Sequence, residues 1–248
     1  MLNPNHLFPL NFKALVLLLG FGLTVFHGVS QVRNYSGVAT DIKTGKVLFT
    51  AKFNEKRING KLESMETQYF SADGKVKIAV RKVLFRNNPY APNFVFQNLR
   101  TDATEVMTTE GTTAELHFKK NGDTKPVKKT ITVPGVMVAD AGLVSLILDR
   151  WGNLKAGKQE GLNIIVTSRL DYYHFILYEK STDADRKAGH TRIIFVSDNW
   201  FVRKVIDPIE MVFENSTKRL IRFEGATNLT DQDGKQFTSA IITYQFEN

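Results

Sequence analysis

Residues 140–154 read DAGLVSLILDRWGNL, and this stretch decides the architecture. Its apolar positions Leu143, Leu146, Ile147, Trp151 and Leu154 recur every three or four residues, which puts them on one face of a helix. Asp140 stands where an N-cap would, its carboxylate placed to accept a backbone N–H of the first turn, and Gly157 stands where the helix would stop. Most of the remaining chain reads with period two. A single amphipathic helix among many strands has to bury its stripe against a sheet. The expected fold is therefore mainly β: one large, strongly curved antiparallel sheet, an open or incomplete barrel, with the helix at about 140–154 packed on its concave face.

Turn chemistry supports the strands on either side. Asp73-Gly74, Asn121-Gly122 and Asp233-Gly234 each separate two β-prone segments, as a type I′ turn does. Upstream of the helix, candidate strands include Lys46–Lys56, Leu62–Phe70, Lys75–Phe85 and Thr113–Lys119; downstream they include Leu162–Ser168, Arg192–Ser197, Phe201–Val205 and Phe237–Phe246. The two groups differ in pattern. Lys75–Arg81 alternates polar with apolar, whereas Tyr172–Tyr178 and Ile193–Val196 carry apolar or aromatic residues on both faces. Strands of the second kind are covered on both sides.

The N-terminus reads as an address. Residues 1–30 contain no acid, one Lys13, the apolar run Ala14–Phe26 and the small-residue stretch Gly28-Val29-Ser30, the order of a secretory signal peptide cleaved after Ser30. The run has 13 residues, short of the ~20 that a membrane-spanning helix needs. The expectation is an exported protein, periplasmic or extracellular, with residues 31–248 forming a single β-rich domain and no stable membrane span after cleavage. The absence of cysteine excludes disulfides, thiolate metal sites and N-terminal lipidation of a cysteine. The 33 Lys+Arg, Lys13 included, against 25 Asp+Glu leave the exported part at +7. Such a surplus favours an anionic envelope component as partner, a lipid among them, while export argues against nucleic acid.

No spacing in the chain specifies a reaction. There is no G-x-S-x-G elbow, P-loop or dinucleotide fingerprint, so no catalytic residue, metal ligand or cofactor is assigned and the chain reads as a non-enzyme. His174 lies mid-strand and reads as structural; Asp183-x-Asp185 reads as a solvated loop. What remains is an aromatic enrichment in the C-terminal half. Trp151, Tyr173, Phe175, Phe195, Trp200, Phe213 and Phe223 are the candidate walls of an apolar ligand site between sheet and helix, and Arg203, Lys204, Lys218 and Arg222 are candidate contacts for an anionic headgroup. The alternative reading of the same aromatics is a packed core.

Asp140-Ala141-Gly142-Leu143, Trp151, Leu154 and Gly157, then Ser168-Arg169-Leu170-Asp171-Tyr172, Pro208, Phe213, Arg219-Leu220-Ile221-Arg222-Phe223, Gly225 and Asn228-Leu229, resemble exported bacterial proteins of unknown function. Their layout is similar to the incomplete β-barrels of periplasmic lipoprotein and lipid carriers, in which a curved sheet wraps a helix. The resemblance spans roughly residues 140–246 and implies a binding or carrier role in the envelope without known catalytic residues. A structural protein with a filled core and an envelope glycan or lipid hydrolase are the alternatives that the residues leave open.

Overall fold

Side-chain alternation decides which face of each strand turns inward. In β2 (Val47–Ile58), Phe49, Ala51, Phe53 and Glu55 are buried while Lys52, Asn54 and Lys56 are exposed. The same rhythm buries Met65, Thr67 and Tyr69 in β3 (Lys61–Ser71) and Phe94, Phe96 and Asn98 in β5 (Asn93–Asn98). The computed structural model describes residues 29–139, 141–198 and 208–247. With β1 (Ser30–Asp41), β4 (Lys77–Leu84), β6 (Thr104–Glu110), β7 (Thr113–Lys119) and β8 (Val127–Thr132), the first half is an antiparallel meander. The second half runs β9 (Met137–Val138), α1 (Gly142–Asp149), α2 (Trp151–Lys155), β10 (Glu160–Val166), a 3-10 turn at Thr167–Arg169, β11 (Asp171–Glu179), α3 (Asp183–Lys187), β12 (His190–Ser197), β13 (Ile209–Glu214), β14 (Leu220–Gly225) and β15 (Ala240–Phe246).

Among the described residues these strands form one 15-stranded sheet in the order β8-β7-β6-β5-β4-β3-β2-β1-β15-β14-β13-β12-β11-β10-β9. The halves join where β1 pairs with β15, with Tyr35 opposite Phe246, Gly37 opposite Tyr244 and Ala39 opposite Ile242. Register shifts at Ala39/Thr40, Lys56/Arg57 and Tyr69/Phe70 mark irregularities that add twist and bend the sheet on itself. The curl brings the 3-10 turn against β6 and β7 and sets Lys129 Nζ 3.9 Å from Asp171. β8 and β9, the two ends of the order, share no ladder, so the barrel is incomplete.

The interior has two packed regions. One fills the N-terminal half with Phe49, Ile78, Phe94, Met107 and Leu116, and Ile165 of β10 joins it. The other lies between the helices and β10 to β13 and contains Leu146, Ile147, Leu154, Leu162, Leu177, Ile193 and Phe213. β12 is covered on both faces, as its composition implied: Ile193, Ile194, Phe195 and Val196 are all buried.

Three local readings need correction. The helix is not continuous: Arg150, at φ −92° and ψ 6°, separates α1 from α2, and the first helix begins at Ala141 without a side-chain cap. Asp140 lies outside the described residues, as does the strand expected at Phe201–Val205. The apolar spacing still holds because it encodes a shared face rather than an unbroken hydrogen-bond ladder; Leu143, Leu146, Ile147 and Leu154 are all buried. The expected type I′ turns have only their glycine at positive φ, with Gly74 at 74°, Gly122 at 84° and Gly234 at 80°. The two-residue type I′ turn is instead Asn59-Gly60 (φ 52° and 77°), closing the β2–β3 hairpin between Ile58 and Lys61.

Asp183 and Asp185 belong to α3 rather than to a loop. Thr182 and Asp185 form a capping box, and Asp185 also takes two bonds from Arg192 of β12, Nε at 3.0 Å and Nη2 at 3.1 Å. The Arg192 bonds, together with those from Thr182, hold the Asp185 carboxyl well below the usual range despite partial burial. Asp185→Asn is expected to destabilise the fold by about 2–3 kcal/mol, since it weakens the cap and strips the guanidinium of its bidentate partner. A folded pKa below the unfolded ~3.9 means that the native contribution is complete above about pH 4 and fades as pH falls further. Denaturant melts of both proteins between pH 3 and pH 7 measure this; the gap between them should narrow only at the acid end.

Candidate functional site

The concave side is not filled throughout. Between β1, β2, β3, β4, β14 and β15 on one side and α1 on the other lies a cavity of about 980 Å³. The register explains its layering. β1 presents Arg33, Tyr35, Gly37 and Ala39 inward in sequence, and β2, running the other way, presents Arg57, Glu55, Phe53, Ala51 and Phe49. Each step of two residues advances about 7 Å along the strand. Charged residues therefore gather at one end of the barrel and mostly apolar ones stand further in, Arg81 of β4, opposite Thr67 and over the Tyr69 ring, being an inward exception.

The charged end is built from Arg33, Arg57, Lys61, Arg86, Lys218 and Arg219, with Glu55, Glu63 and Asp149 among them. Arg86 pairs with Glu63, and the Tyr90 hydroxyl donates to Asp149. Arg57 donates to Glu55 through Nη2 at 3.0 Å and to the Gly60 carbonyl at 3.2 Å. The Tyr35 hydroxyl donates to the other oxygen of Glu55 at 2.9 Å. Burial, reinforced by the Glu55 charge, pushes the Tyr35 phenol well above its ordinary value, so it stays protonated and keeps that bond.

Below this level sits an aromatic collar. Tyr35 stacks on Phe53 at 4.6 Å between centroids and lies 4.9 Å from Phe246, while Phe53 meets Tyr244 at 5.6 Å. Gly37 leaves room for it: an added Cβ there would lie 3.2 Å from Ile242 and 3.3 Å from Phe53. Deeper still are Tyr69 and Phe49, whereas Met65, opposite Glu55, stands at the charged level. The far end is covered by the connection between β14 and β15. Leu229 enters the core, Phe237 stacks against Phe49 at 6.0 Å, and Thr230 takes bonds from Asn98 and Arg100. The helix supplies the remaining wall. Leu146 and Ile147 turn into the second core, while Val144 and Leu148, four residues apart, line the cavity.

Of the residues proposed from sequence, Phe223 and Lys218 line this cavity. Phe213 is fully buried in the second core, edge-on to Trp151 at 5.7 Å, and Phe175 stacks on the buried Phe195 at 4.2 Å. Tyr173 is exposed, and Arg222 points to the opposite face of β14 from Phe223, paired with Glu224 at 2.6 Å. Trp200, Arg203 and Lys204 lie outside the described residues. His174 is exposed, with Nδ1 3.2 Å from Asn163. The cavity's aromatic wall comes mainly from the N-terminal strands, which aromatic density alone does not flag. The signal that marks them is the alternation Phe49-x-Ala51-x-Phe53-x-Glu55-x-Arg57, one face of a strand passing from apolar to charged.

Among the described residues no group of three or more His, Asp or Glu side chains is gathered to hold a metal, and no helix is long and apolar enough to cross a membrane. No family model matches the sequence, and no curated protein matches it. Among solved structures, the chain is similar to a β-barrel-like protein of the domain of unknown function DUF1849 from Brucella abortus, with 10% sequence identity and a TM-score of 0.38, over 89% of this chain and 98% of that one.

Proposed function

We propose that this protein is an exported binding or carrier protein of the cell envelope, and that its cavity holds the apolar part of an amphipathic molecule such as a lipid. The observation that carries this reading is the cavity itself: about 980 Å³, walled by Tyr35, Phe53, Tyr69, Phe96, Val144 and Leu148, covered at one end and charged at the other. Specific small-molecule sites have this size and this build, apolar walls with a few polar groups at one side. Sheet and helix divide the work. The sheet supplies a rigid concave wall, and α1 uses its second face as a lid or lining. The reading is tested by extracting the protein, purified from its own cells under native conditions, and identifying the extract by mass spectrometry; an amphiphile in stoichiometric amount is the expected result.

A further inference from the structure

Resting on that reading of the cavity, we propose that its ligand is anionic: a carboxylate or phosphate headgroup lies at the charged end against Arg33, Arg57 and Arg219, and the chain runs inward toward Phe49 and Leu229. These three arginines line both the main cavity and a second one of about 440 Å³ that adjoins it outward, with Glu247 on the outer rim. They come from separate parts of the chain: Arg33 from β1, Arg57 from the end of β2, and Arg219 from the β13–β14 turn. Sheet curvature is what brings them together.

Their charge is only partly offset. Arg57 is held by Glu55, but among the described residues neither Arg33 nor Arg219 has a carboxylate within 4.0 Å. Arg219 lies over the Phe246 ring at 4.8 Å, which fixes the guanidinium plane and leaves its edge donors for a ligand. A guanidinium presents paired N–H donors that match the oxygens of a carboxylate or phosphate. One pleat inward, the ring faces of Tyr35, Phe53 and Phe246 dominate the wall, with Arg81 of β4 at this level lying over the Tyr69 ring, so a chain there meets mostly aromatic surface. The polarity of the cavity along its axis thus matches the polarity of a single-headed anionic amphiphile.

The test is displacement of the fluorophore N-phenyl-1-naphthylamine from the whole protein by dodecanoate, dodecyl phosphate and dodecanol, with acetate and inorganic phosphate as chain-free anions. Both anionic amphiphiles should displace the probe at concentrations about tenfold or more below dodecanol, the gain expected of a charge-assisted hydrogen bond. In Arg33→Ala/Arg219→Ala that preference should fall to about threefold or less, with dodecanol unchanged, which also reports an intact cavity. Acetate and inorganic phosphate should not displace. Equal potency of dodecanol in the native protein, an unchanged preference in the double variant, equal weakening of dodecanol there, or displacement by phosphate alone would each overturn the headgroup assignment while leaving the cavity reading. Failure of the probe to bind at all would instead remove the reading on which the assignment rests.

Discussion

Gly142→Ala should lower the melting temperature by roughly 6–12 °C, an effect of about 3 kcal/mol for a domain of this size. Gly142 opens α1 against the segment that connects β4 to β5. A Cβ there would sit 1.9 Å from the Tyr90 carbonyl oxygen, 2.3 Å from its carbon and 2.8 Å from Pro92 Cδ. Backbone and a proline ring cannot rotate away as a flexible side chain does. That same Tyr90 carbonyl accepts from the Ala139 N–H at 2.9 Å, so relief by sliding the helix breaks a bond that seats it. Gly152, in α2, is the matched control. An added Cβ there meets nothing within 4 Å, and alanine in a helix interior is worth about 0.5–1 kcal/mol over glycine. Gly152→Ala should therefore raise the melting temperature while Gly142→Ala lowers it; calorimetry of the two proteins reads both signs.

Val144→Trp should weaken uptake of an apolar fluorophore by about 100-fold with little change in melting temperature. Val144 is partly buried and borders the cavity, one turn before Leu148. Val144 packs on the edge of the second core, and an indole there extends from that edge into the cavity. It takes volume from the ligand and removes the burial of about four methylenes, each worth ~0.8 kcal/mol, hence the two-decade loss. Fluorescence titration of the native and variant proteins measures it. Large losses of both uptake and stability would show that α1 packs on the sheet there and that the space is not a binding chamber.

The fold was legible in the chain to the extent that it rests on local periodicity. Period-two segments within the described residues, such as Val47–Ile58 and Lys61–Ser71, became strands, and Leu143, Leu146, Ile147 and Leu154 became buried helical positions, with Trp151 half-buried, even though Arg150 interrupts the helix. Turn chemistry was legible in kind rather than in detail. Asn59-Gly60 closes a type I′ hairpin, whereas Asp73, Asn121 and Asp233 precede glycines that alone take the left-handed conformation. The two-sided pattern of Ile193–Val196 correctly marked a strand covered on both faces, whereas the same pattern in Tyr172–Tyr178 did not: there Tyr173 and His174 are exposed and only Leu177 is buried.

The location of empty space was not legible, for a physical reason. Whether an aromatic fills a core or walls a cavity depends on how far the sheet curls, and the curl depends on the pairing of β1 with β15, segments about two hundred residues apart. Aromatic density pointed to the C-terminal half, where Phe175 stacks on Phe195 and Phe213 meets Trp151 edge-on within the second core. The open chamber lies instead against Arg33 and Tyr35 of β1, beside Phe53 of β2 and Tyr244 and Phe246 of β15. Arg33 and Arg219 were equally unremarkable as sequence, because only the curled sheet puts them on one rim.

The central claim is that the space between sheet and helix is a ligand chamber. The most direct measurement is native mass spectrometry of the protein as it leaves its own cells, followed by denaturing extraction. A discrete mass increment that disappears on extraction, and reappears in the extract as an amphiphile, is the result expected. A single unliganded mass, together with no saturable uptake of any apolar probe by that same preparation, would contradict it.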